Sequence, residues 1–119
     1  VEDAEPGAIR AAAHEDINLI TLLLSGSKPG LQARDSDGAW HDIACDPGMI
    51  TINNGDMLAL ATGNHFPSTT HRVTNPDAGQ NVSRYSMPMF LHPRPDAPLT
   101  ADVTADQYLQ KRLKEIGLK

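Results

Sequence analysis

Ala13-His14-Glu15-Asp16-Ile17-Asn18-Leu19-Ile20-Thr21-Leu22-Leu23-Leu24 is the stretch on which the fold turns. His14 and Asp16 stand two apart, so in an extended segment their side chains project from one face. A helix would splay them by about 200 degrees. Joint use of the pair therefore requires a strand or a strand end. The run over residues 19–24 is short, nearly all apolar and closed by Ser25-Gly26-Ser27-Lys28-Pro29-Gly30. That length and flank favour a buried strand, with a helical segment the alternative that periodicity alone leaves open.

Outward from this stretch, short apolar runs alternate with turn formers. Residues 31–34 and 40–45 are strand candidates joined by Asp35-Ser36-Asp37-Gly38, a hairpin signal. Asp46-Pro47-Gly48 turns the chain into a strand over residues 49–53, which Asn54-Gly55-Asp56 breaks. Residues 57–62 read as one helical turn or an irregular segment. His71-Arg72-Val73-Thr74 is a short strand stopped by Asn75-Pro76. Residues 82–91 form the longest strand candidate, and Pro88 inside it removes a ladder donor, which marks a bulge or an edge. Residues 1–8 read as a loop.

Near the C-terminus, Thr104-Ala105-Asp106-Gln107 is a capping box. It opens a helix to about Ile116, with Tyr108, Leu109, Leu113 and Ile116 on one stripe and Gly117 as its stop. That helix reads as packing rather than chemistry. Nine Gly and nine Pro spread between the apolar runs favour an all-β core. With 119 residues the chain is expected to be one domain, able to bury about two-thirds of its unfolded surface.

A net charge of −5 without a basic stripe gives nucleic acid no electrostatic footprint. Cys45 is alone, which excludes an internal disulfide and suits a reducing compartment. It reads as a small half-buried hydrophobe. No apolar stretch is long enough to span a bilayer. The acidic, turn-prone opening Val1-Glu2-Asp3-Ala4-Glu5-Pro6-Gly7 lacks the layout of a signal peptide, so a cytoplasmic location is expected.

His71 supplies a second imidazole to the His14–Asp16 pair. Two imidazoles and one carboxylate are the facial set of non-haem Fe(II) oxygenases, which leaves metal positions open for O2 and an organic ligand. Taken singly, each residue has an ordinary structural explanation. His14 suits a half-buried histidine bonded to backbone, Asp16 a turn or cap, and His71 a polar strand end. Metal binding would need neutral imidazoles and an ionised carboxylate, so affinity should fall in acid.

Their ordered company decides between these readings. Ala13-His14-Glu15-Asp16 with the apolar run after it, Gly30-Leu31-Gln32, Trp40, Asn53-Asn54-Gly55-Asp56-Met57, Ser68-Thr69-Thr70-His71-Arg72-Val73, and Arg84-Tyr85-Ser86-Met87-Pro88 with Phe90 follow one another along the chain. In this series the chain resembles the C-terminal half of the isopenicillin-N-synthase-like Fe(II)/2-oxoglutarate dioxygenases. The resemblance implies a double-stranded β-helix, or jelly roll, incomplete here and followed by one C-terminal α-helix at about 104–116. It implies that His14, Asp16 and His71 hold Fe(II). Arg84 and Ser86, two apart on their expected strand, would then bind the distal carboxylate of 2-oxoglutarate. With O2, such an enzyme oxidises an unactivated C–H of a small molecule and releases succinate and CO2.

Around these positions, Arg72 is expected to point to the opposite face and make a supporting ion pair. Asn53, Gly55 and Asp56 match the family's structural turn, with Gly55 supplying a tight backbone. His41 and His92 read as solvated, and Glu15 either points away from the ligands or reaches over them as a lid contact. His65 either does the same as those solvated histidines or faces the metal cleft. Relatives usually carry a long N-terminal region before the first ligand. The chain is thus expected to be a piece of a longer protein or a short form closed otherwise. An absent first strand would leave an unpaired edge that invites a homodimer. Three other readings stay open: a same-fold oxidase that does not use 2-oxoglutarate, a truncated, non-catalytic module binding a metal or small acid, and a purely structural interaction domain. The residues that select substrate in relatives lie in the N-terminal region and in loops near residues 64–68.

Overall fold

A computed structural model of the chain describes residues 9–75 and 83–118. The loop expected over residues 1–8, Pro76 of the expected stop and the first residue of the 82–91 strand lie outside them. In chain order the elements are β1 (Ala11–His14), β2 (Ile20–Leu24), β3 (Leu31–Arg34), β4 (Trp40–Asp42), β5 (Ile50–Asn54), α1 (Asp56–Ala61), β6 (His71–Val73), β7 (Pro88–Leu91) and α2 (Ala105–Glu115). The described residues fall into two compact units. One is drawn from the segments Val1–His14, Leu23–Thr51 and Thr70–Met87, the other from Glu15–Leu22, Ile52–Thr69 and Pro88–Lys119.

In the first unit a four-stranded sheet has the order β1-β6-β3-β4. Its β3–β4 hairpin forms because Asp35 closes the turn. Asp35 Oδ1 accepts from the backbone N–H of Asp37 at 3.0 Å and of Ala39 at 2.9 Å. Gly38 takes a φ of 87°, which a side chain would resist. The register pairs Gln32 with both Asp42 and Arg72, and Ala33 with both His41 and His71. On one face Gln32 donates to Asp42 at 2.9 Å and accepts from Arg72 Nε at 2.8 Å. The Arg72 guanidinium lies 4.1 Å from the centre of the Trp40 ring. An amide and an aromatic face therefore hold Arg72 where an ion pair was expected.

In the second unit Met57, Leu99 and Ala105 are buried, with Ile17, Leu19, Leu60, Tyr108 and Leu109 packed around them. The three-stranded sheet has the order β5-β2-β7. Helix α2 starts where expected. Thr104 and Gln107 form the reciprocal capping box, and the carbonyls of Ala97 and Pro95 accept from the N–H groups of Ala105 and Asp106. Gly117, with φ of 76°, ends it. Ile116 sits past the helix end and is exposed, so it leaves the expected packing stripe. The segment over residues 57–62 resolves into α1, a second helix.

The strand expected over residues 82–91 is reduced to β7. Before Pro88 the backbone bonds go elsewhere: the Tyr85 N–H donates to Ser27 Oγ at 3.0 Å, and Tyr85 O accepts from the Ser27 N–H at 3.3 Å. Pro88 opens β7 at an edge of its sheet, the position its missing N–H permits. Arg84 and Ser86 consequently lie outside any strand.

The Tyr108 hydroxyl donates to Asp56 Oδ2 at 3.2 Å. Burial, then the Asp56 charge, pushes its phenol up to about 12. Because the folded value is the higher one, the contribution of Tyr108 to stability is whole below pH 10 and declines as pH rises toward 12. Urea unfolding from pH 9 upward should show that decline, and Tyr108→Phe should flatten it. Equal slopes in the two proteins would contradict this assignment.

Candidate metal centre

His14 is the last residue of β1 and His71 the first of β6. The strands pair antiparallel, with Ala11 opposite Val73 and His14 opposite His71. A plain ladder from the first pair would set His14 against Thr70. The register shift between Ala11 and His14 advances β1 by one residue and brings the two imidazoles opposite each other, tilted by 54°. Bulges recur beside functional sites because the extra residue bends the strand and re-aims a side chain. The two ring centres are 4.3 Å apart. His14 Nδ1 lies 2.7 Å from the Ala12 carbonyl oxygen, which can only accept. Nδ1 therefore carries the proton, and Nε2 presents the lone pair a metal takes.

Asp16 follows two residues later. Its Oδ2 accepts from Thr21 Oγ1 at 2.5 Å and from Asn53 Nδ2 at 3.0 Å. Thr21 in turn accepts from Asn18 Nδ2 at 3.0 Å, and both Thr21 and Asn18 are buried. The backbone is stitched in the same place. The Asp56 N–H donates to Asp16 O at 2.8 Å, Gly55 to Leu19 O at 3.0 Å and Met57 to Asn18 O at 3.1 Å. A Cβ on Gly55 would stand 2.2 Å from Asn18 O. The φ of Gly55 is an ordinary −106°. Close approach, not turn geometry, is what requires glycine there.

One donor atom from each of His14, Asp16 and His71 lies within 4.8 Å of the others. Two imidazoles with a carboxylate suit a first-row divalent ion, ferrous iron included, and three protein donors leave positions for small ligands. The residues present fit such an ion.

Arg84 and Ser86 are not part of that group. Arg84 Nε donates to Lys28 O at 2.9 Å, and its guanidinium lies over Gly26, where a Cβ would meet Nη2 at 2.8 Å. Its terminal nitrogens make no hydrogen bond among the described residues, and Ser86 is exposed. His65 packs edge-on against Phe66 at 4.7 Å and does not join the ligands. Glu15 lines a cleft of about 680 Å³ in the second unit, together with Asp56, Asn64, Ser68, Tyr108 and Arg112. There Asp56, 9% exposed, meets Arg112 Nε at 3.4 Å.

Residues 2–93 match the sequence profile described as the 2OG-Fe(II) oxygenase superfamily. The chain belongs to that superfamily. Among curated relatives, the flavonol synthase/flavanone 3-hydroxylase of Eustoma exaltatum subsp. russellianum is 33% identical over 76% of this chain and 26% of its own length. A crystal structure of a candidate oxygenase from Shewanella oneidensis is 52% identical, with a TM-score of 0.85 over 98% of this chain and 44% of that one. A full-length Neurospora crassa protein, solved in complex with alpha-KG, is 30% identical, with a TM-score of 0.81 over 94% of this chain and 39% of that one. The antiparallel strands thus belong to the jelly-roll fold of the 2OG-Fe(II) oxygenases. The chain spans about a quarter of the length of the curated relatives it matches, and less than half of these solved ones.

Within this oxygenase-family chain, sequence reading missed Asn18 and Thr21 and took Asn53 for a turn residue only. The available signal was two polar residues inside an apolar run, since buried polar groups must find partners. If Thr21 orients the metal carboxylate, Thr21→Val should weaken Fe(II) or Mn(II) binding by about 10- to 100-fold, and Thr21→Ser should restore it. Anaerobic metal titration reads both, and wild-type affinity in the valine variant would contradict the role.

Proposed function

We propose that this chain is the metal- and cosubstrate-binding portion of an Fe(II)- and 2-oxoglutarate-dependent dioxygenase. The whole enzyme oxidises an unactivated C–H of a small molecule and forms succinate and CO2 from 2-oxoglutarate. The convergence of His14, Asp16 and His71 in a chain of this superfamily carries the reading. When bound there, ferrous iron supplies the redox and O2 chemistry that side chains lack.

The chain's own residues do the rest. His14 is held in one tautomer by Ala12 O, and the Asp16 carboxylate is oriented by donors from Thr21 and Asn53. Arg84 is fixed through Nε to Lys28 O, so its terminal N–H groups can grip a carboxylate bidentately. In this reading they take the distal carboxylate of 2-oxoglutarate, with the Ser86 hydroxyl as a further donor. No helix among the described residues is long and apolar enough to cross a membrane. A reducing cytoplasmic setting, which keeps iron ferrous and Cys45 a thiol, fits the same proposal.

The test uses the full-length protein with Fe(II), 2-oxoglutarate and O2. Succinate should form only with protein and iron together. Arg84→Ala should raise the KM for 2-oxoglutarate at least tenfold, on the order of the loss of a charge-assisted hydrogen bond, while metal affinity stays. O2 uptake without succinate would point to a same-fold oxidase. Metal binding with neither would leave a non-catalytic module.

A further inference from the structure

The antiparallel registers of the four-stranded sheet set four residues in one cross-strand row. His14 faces His71, His71 faces Ala33, and Ala33 faces His41. Directly opposed residues project from the same face of a sheet. The other face is identified independently by its contacts, since Gln32 bonds to both Asp42 and Arg72 across the strands. His41 therefore stands on the metal-ligand face. Adjacent strands are about 4.8 Å apart, which puts His41 about 10 Å from His71. Only the methyl of Ala33 rises between them in that row.

His41 is locked by a carboxylate. Its Nε2 lies 2.6 Å from Asp35 Oδ2. The hydrogen bond from His41, then that from the Ala39 N–H, holds Asp35 below the usual carboxylate range. An ionised carboxylate can only accept, so Nε2 carries a proton, and in the neutral imidazole Nδ1 is then the acceptor. Nδ1 has no partner among the described residues, and the side chain is 61% exposed. The turn does not need this contact. Asp35 Oδ1 already closes it through Asp37 and Ala39.

We propose that the Asp35–His41 pair is a substrate-contacting element, in which His41 Nδ1 accepts a hydrogen bond from an N–H or O–H of the molecule being oxidised. This rests on the dioxygenase reading above and narrows its substrate class. The substrate is a small molecule with a donor about 10 Å from the metal-ligand end of the row. Asp35 acts through His41 as a positioning residue by fixing its tautomer.

The test uses the full-length protein and two matched probe pairs: thymine with 1,3-dimethylthymine, and 7-hydroxycoumarin with 7-methoxycoumarin. Binding is measured by calorimetry in the presence of Fe(II) and 2-oxoglutarate without O2. In at least one pair the donor-bearing member should bind about tenfold more tightly, the worth of one good hydrogen bond. His41→Phe should abolish that ratio, and His41→Gln, which keeps an acceptor, should restore part of it. Affinities for Fe(II) and 2-oxoglutarate should not change. A ratio that survives in His41→Phe, or a wild-type protein with no preference in either pair, overturns the inference and leaves the pair a brace of the hairpin. Failure of wild-type protein to bind Fe(II) and 2-oxoglutarate would sink the dioxygenase reading instead, and the probe ratio would still be read by itself.

Discussion

A carboxylate that serves a metal must not swing, and in this chain that demand falls on Oδ2 of Asp16. Thr21 and Asn53 donate to that atom, and Asn18 holds Thr21 from behind. Each hydrogen bond to a charged acceptor contributes roughly 1.5–3 kcal/mol, so losing either donor would leave Asp16 poorly held. The stitching of Gly55, Asp56 and Met57 onto the backbone of residues 16–19 exists around this point. Gly55 has no side chain because Asn18 O occupies its space. Helix α1 begins at the residue that bonds Asp16 O, so the position of the helix follows from the same contact.

The imidazoles depend on a different constraint, the alternation of a pleated sheet. One face of β3, β4 and β6 is filled by the Gln32, Asp42, Arg72 and Trp40 lattice. Arg72 is anchored there, so its neighbour His71 must project from the other side. A single bulge in β1 then aligns His14 with it. Sheet pairing thus sets the two nitrogens, and buried hydrogen bonding sets the oxygen.

Much of this was legible in the residues. His14 and Asp16 two apart require an extended chain, the hairpin turn carries its own Asp and Gly chemistry, and the Thr104–Gln107 box marks α2 to the residue. What escaped reading was nonlocal. The bulge depends on a register that no local pattern encodes, and Asn53 bonds a residue 37 positions away. Residues 82–91 include Val82, Tyr85 and Phe90, which favour strands, yet the backbone before Pro88 finds Ser27 instead of a ladder. Arg72 illustrates the limit most plainly. Its face was predictable from alternation, while its partner was not, because Gln32 and Trp40 come from other strands.

The claim that supports everything else is that one metal ion is held by three named residues. Anaerobic equilibrium dialysis with Fe(II), on full-length wild type and on His14→Ala, Asp16→Ala and His71→Ala, tests it directly. One ion per chain is expected in the wild type, with binding lost in each variant. Copper and zinc are excluded from the buffer, since they bind such donors more tightly than iron does. Undiminished iron in any one of the three variants would show that the named residue does not hold the metal.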